Sequence, residues 1–152
     1  MIKLTDDEVI YCKNIAFKID EGNRKSNVKD FRQTNKQTSL EINTQGTLGE
    51  FAFCKHFNIL FDSTIKSRSS GYDCILKEKR IDIKTTTWKK GIYKTLKPIK
   101  NIDIFAQIIQ HSENEYELNG WIDASDLMQN KNIIDIGNGP CYFVANEKLN
   151  KF

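Results

Sequence analysis

A short stretch near the middle of the chain carries residue types and spacings from which a hydrolytic site can be built. Ile81-Asp82-Ile83-Lys84-Thr85 alternates apolar and charged residues, the pattern of a half-buried strand. Side chains two apart on a strand share a face, so Asp82 and Lys84 project together, with Ile81, Ile83 and Thr85 opposite. Asp73 precedes Asp82 by nine residues, a spacing that antiparallel pairing of two short arms can close. Two carboxylates and the backbone carbonyl of Ile83 form a hard oxygen donor set for Mg²⁺, or for Mn²⁺. Glu50, early on a predicted helix, can add a further ligand or hold a metal-bound water. Each residue also has a purely structural reading. Glu50 completes a capping box with Thr47, Asp82 and Lys84 form a solvated strand pair, and Asp73 is a turn residue after Gly71.

The order Glu50, Asp73, Asp82-Ile83-Lys84 resembles the PD-(D/E)XK nuclease superfamily, the fold of many restriction enzymes, phage exonucleases and junction resolvases. The resemblance covers residues 47–86; the leading proline of the signature is replaced by Tyr72. It implies that Glu50, Asp73, Asp82 and Lys84 are catalytic, with a metal held by Asp73, Asp82, the Ile83 carbonyl and Glu50. It further implies Mg²⁺-dependent hydrolysis of DNA phosphodiester bonds on a structure-specific or site-specific duplex target, in which Lys84 stabilises developing negative charge. Small enzymes of this kind gain reach by assembling, so a homodimer or higher homo-oligomer is expected. Two other readings remain open: a non-catalytic nucleic-acid-binding protein with the nuclease fold, and a small protein-interaction domain.

Several elements must position these residues. Thr5 and Glu8 form a capping box, and Val9, Ile15, Ala16 and Ile19 continue it as a helix over 6–20. Residues 23–46 are polar and basic, read as an arm with a short helix at 28–35 as an option. A second helix is predicted over 48–57, with Thr47 as its cap, and a short strand over 59–61. Residues 72–76 and 80–87 read as a hairpin, 89–91 as a turn, and 102–109 and 116–122 as strands. A short helix near 125–129 and a last strand at 141–145 complete the order. This predicts a single α/β (α+β) domain over 1–152, with a restriction-endonuclease-like central mixed sheet flanked by helices.

Composition sets the bounds. A chain of 152 residues can bury roughly two-thirds of its unfolded surface, so folding needs no metal or disulfide. No CxxC pair exists among Cys12, Cys54, Cys74 and Cys141, and these read as buried thiols. His56 and His111 stand apart and lack cysteine partners at ligand spacing. No apolar run approaches membrane-helix length, and acidic residues occupy the start where a secretory signal needs an apolar core, so a cytoplasmic location is expected. The formal charge of +3 hides an asymmetry: residues 1–100 carry +8 and residues 101–152 carry −5. The densest basic run, 77–100, predicts a phosphate-contacting loop through Trp88, Lys89, Lys90, Lys94, Lys97 and Lys100, with Trp88 available for base stacking. Arg68, Arg24, Lys25 and Arg32 are further candidates for nucleic-acid contact.

Overall fold

The computed structural model describes residues 1–25, 37–63 and 71–152. In chain order the elements are β1 (Ile2–Lys3), α1 (Asp6–Lys25), α2 (Ser39–Phe57), β2 (Cys74–Leu76), β3 (Lys79–Thr86), β4 (Gly91–Thr95), β5 (Ile104–Ser112), β6 (Glu115–Asp123), α3 (Ala124–Leu127), β7 (Ile133–Asp135) and β8 (Pro140–Ala145). They form a mixed α+β fold with a central sheet flanked by helices. The larger sheet runs β1-β6-β5-β3-β2 and a smaller one runs β4-β8-β7.

The first helix starts where expected. Glu8 N–H donates to Thr5 Oγ1 at 3.2 Å, and Thr5 N–H donates to Glu8 Oε2 at 2.7 Å. Acidic residues in its first turn and Arg24 and Lys25 in its last suit the helix dipole. The helix runs past the predicted end at residue 20 because Asp20 and Asn23 are buried beneath it. Asp20 accepts from Ser39 Oγ at 2.6 Å and Asn43 Nδ2 at 3.3 Å, and pairs with Arg24 at 3.0 Å. That polar knot ties the end of α1 to the start of α2.

The second helix starts nine residues before its predicted start. Its capping box is Thr38 with Glu41, and Asn58 ends it with a left-handed backbone. Thr47 is therefore mid-helix, and its hydroxyl donates back to the Asn43 carbonyl at 2.8 Å. The predicted cap at Thr47, and with it a capping role for Glu50, is corrected. The polar region 23–46 is likewise largely helical at both ends; residues 26–36, including the optional helix, lie outside the described residues. Residues 59–61 form no strand.

The predicted hairpin is present. Lys77 and Glu78, both with positive φ, make the two-residue turn between β2 and β3. β3 then pairs in parallel with β5, Asp82 opposite Phe105 and Lys84 opposite Gln107, and β5 pairs antiparallel with β6. The stretch predicted as a loop after residue 88 contains β4, whose partner β8 lies far along the chain. The crossover between the two parallel strands thus passes through the smaller sheet. Alternation along β5 divides the interior. Ala106 and Ile108 join Leu48, Ala52, Phe53, Ile81 and Ile83 in one core under the helices. Phe105 joins Ile92, Leu127, Val144 and Leu149 in a second. No helix among the described residues is long and apolar enough to cross a membrane.

Candidate functional site

β2 covers only the first part of β3. Asp73 N–H donates to the Ile81 carbonyl at 2.8 Å, and the paired strand ends there. The next amide on that edge, Ile83 N–H, is taken by the Asp73 carboxylate at 2.6 Å. A strand residue sends its N–H and C=O to the same side, so the Ile83 carbonyl lies on the edge Asp73 occupies. Asp82 and Lys84 project from the opposite face to Ile81 and Ile83, as alternation predicts. Lys84 Nζ sits 2.5 Å from Asp82 Oδ1 and 5.7 Å from the centre of the Phe105 ring. That Asp82 oxygen is buried and, this ion pair aside, has no hydrogen-bond partner among the described residues.

Glu50 lies on α2, within electrostatic range of the group. The helix comes close because Gly49 lies directly on Thr85: a Cβ there would stand 1.9 Å from Thr85 Oγ1. Burial pushes the Glu50 carboxyl well above the usual carboxylate range, and the Asp73 and Asp82 carboxylates push it further, with Lys84 opposing them. Lys84 is itself desolvated, which favours the neutral amine. The charges of Asp82, Asp73 and Glu50 outweigh this and raise its pKa, so it stands as an ammonium. Glu50 and Lys84 therefore each feel the charge of the other three residues singled out in the sequence.

The Asp73 and Asp82 carboxylates beside one ammonium, with the Glu50 carboxyl within range of their charge, supply with a strand carbonyl donors of the type suited to a hard divalent cation. In donor type and charge, Asp73, Asp82, Glu50 and the Ile83 carbonyl fit such an ion. They are not drawn into a closed shell: among the described residues no three His, Cys, Asp or Glu side chains form a group able to hold a metal ion.

The predicted nucleic-acid contacts separate into classes. Lys89, Lys90, Lys97 and Lys100 are exposed. Trp88 is half-buried and packs edgewise against Tyr93 and at a tilt against Phe143, with ring centres 5.9 and 5.8 Å away. Lys94 is buried, against its placement on a surface loop. Its ammonium donates to the carbonyls of Thr95 at 2.8 Å and Lys97 at 2.5 Å. Burial and the nearby Lys84 lower its pKa. Arg24 and Lys25 lie exposed at the end of α1, and Arg32 and Arg68 fall outside the described residues.

Two supports of the site are residues to which the sequence assigns no role. Arg80 grips Asp103 through two side-chain bonds of 2.9 Å, while Arg80 N–H donates to the same carboxylate at 2.8 Å, which locks the starts of β3 and β5. Gln107 is the other, a buried amide in the middle of an apolar strand. A lone polar residue inside Phe-Ala-Gln-Ile-Ile was the available signal for it.

Residues 1–130 match a family of unknown function, DUF5843. The chain belongs to this family. The match takes in Glu50, Asp73, Asp82 and Lys84, together with both helices and the larger sheet, and stops before β7 and β8. Comparison with curated proteins and with solved structures finds no match.

Proposed function

We propose that this DUF5843 protein is a metal-dependent nuclease of restriction-endonuclease-like type acting on DNA. The observation that supports the reading is Asp73 on the Ile83 amide and Asp82 against Lys84 on neighbouring positions of β3, with Glu50 on α2 within range of their charge. Asp73, Asp82, Glu50 and the Ile83 carbonyl would hold Mg²⁺ or Mn²⁺, which when bound supplies Lewis-acid polarisation of the phosphate. Lys84, held as an ammonium chiefly by Asp82, orients the attacking water and offsets the charge that develops on the phosphate oxygens. Water oxygen forms a new bond to phosphorus and gives up a proton to solvent, while the bond from phosphorus to the leaving ester oxygen breaks and that oxygen takes a proton from solvent. The exposed Lys89, Lys90, Lys97 and Lys100 flank this edge in sequence and suit backbone phosphates more than base readout.

The test is cleavage of supercoiled plasmid, single-stranded DNA and a synthetic four-way junction, each with Mg²⁺, Mn²⁺ or EDTA. The wild-type chain should cut in the presence of metal, and Lys84→Ala should bind DNA as tightly while losing at least a hundredfold in rate. Full metal-dependent cleavage by Lys84→Ala would sink the site. Binding without cutting by the wild type would favour the second reading, a non-catalytic nucleic-acid-binding protein. That reading draws on the two contacts that occupy Asp73 Oδ2 and Asp82 Oδ1.

A further inference from the structure

Behind the exposed pair Lys89 and Lys90, three consecutive carbonyls turn into the protein. The Lys89 carbonyl accepts from Asn146 Nδ2, the Lys90 carbonyl from Asn146 N–H at 3.0 Å, and the Gly91 carbonyl from Gln107 Nε2 at 2.6 Å. The donors are themselves linked. Asn119 Nδ2 donates to Gln107 Oε1 at 2.6 Å and to Asn146 Oδ1 at 2.8 Å. Three amide side chains, from β5, β6 and the turn after β8, thus form one chain of hydrogen bonds that ends on residues 89–91. Gly91 allows the close approach, since a Cβ there would stand 2.2 Å from the Val144 carbonyl.

Gln107 is buried and Asn119 and Asn146 are half-buried; a linked set of amides holds its members in one arrangement. This set spends its bonds on the backbone that carries two adjacent exposed ammoniums, five residues after Lys84. With the carbonyls fixed inward, the lysine stems leave from a rigid base, which cuts the ordering cost of binding. Lysine serves phosphate as a point charge and asks for no particular base.

We propose that Gln107, Asn119 and Asn146 are positioning residues that hold segment 89–91, so that Lys89 and Lys90 engage neighbouring backbone phosphates of a nucleic acid. The ligand class rests on the nuclease reading; the relay itself rests on the bonds above.

The test is binding of a fluorescein-labelled DNA duplex to the full chain in EDTA, over a series of salt concentrations and well below the unfolding temperature. Each phosphate neutralised contributes about 0.9 to the slope of log affinity against log salt. The double variant Lys89→Gln/Lys90→Gln should lower the slope by about two. Asn146→Ala and Asn119→Ala should each lower it by about one, with faster hydrogen exchange at the amides of 89–91. A role confined to closing the seam between the sheets would reduce thermal stability and leave the slope unchanged. A wild-type slope in the lysine variant, or in both asparagine variants, overturns the proposal, as does failure of the wild type to bind. Should Asn146→Ala not fold, Asn119→Ala carries the same reading. Cleavage and its loss in Lys84→Ala are scored separately. A chain that binds with these slopes but never cuts keeps the relay and loses the nuclease.

Discussion

Desolvation, with the charges of Asp73 and Asp82, raises the folded pKa of Glu50 well above the ordinary value of 4.5. A carboxyl whose pKa is raised on folding binds its proton more tightly in the native state. Its stabilising contribution is complete below the unfolded pKa and is lost as pH rises through the folded one. In metal-free protein, Glu50→Gln should therefore gain stability relative to wild type as pH rises above about 4.5. Urea midpoints at pH 4 and pH 8 check this, and an unchanged difference between the two would contradict the buried cluster. Gly49 tests the same neighbourhood by volume. Gly49→Ala drives a methyl into Thr85 and should cost about 1–3 kcal/mol, the usual range for overpacking. Thr85→Ala removes the hydroxyl and methyl in the way but leaves its Cβ close, so the double variant should recover part of that loss.

Among the elements, the pairing of β3 with β5 decides whether the site exists, because it sets where Asp82 and Lys84 face. The Arg80–Asp103 grip fixes that parallel register at its first rung. The Arg80 guanidinium and backbone N–H hold the Asp103 carboxyl far below the usual range. A carboxylate with a depressed folded pKa contributes stability that is present above its unfolded value and lost as pH falls. Asp103→Asn should lower the urea midpoint at pH 7, and the gap to wild type should narrow below about pH 4. An equal gap at pH 7 and pH 3 would show that the carboxylate charge plays no part. The hairpin that carries Asp73 was legible in the sequence, since turn polarity and strand alternation are local signals. The start of α2 was misplaced because Thr47 and Glu50 imitate the capping box that Thr38 and Glu41 form a few residues earlier. Spacing alone does not separate the two patterns; the burial of Thr47 does.

For the whole molecule, a chain of 152 residues offers little surface for a long duplex, which is why an assembly presenting two sites is proposed. Light scattering during size exclusion should give at least twice the chain mass of 17.6 kDa. A single-chain mass at working concentrations would leave each site acting alone. What the sequence by itself determined is the local chemistry: the alternation that puts Asp82 and Lys84 on one face, the hairpin before them, and the amphipathic helix after Thr5. Short-range periodicity and capping suffice for these, because they depend on neighbours within a turn or a strand. Tertiary structure alone decided that Gly49 of α2 sits on Thr85, that Lys94 turns inward, and that Gln107 reaches the segment behind Lys89 and Lys90. Those outcomes depend on how a helix, two sheets and distant strands pack, where a missing Cβ at Gly49 or a buried amide at Gln107 selects the contact.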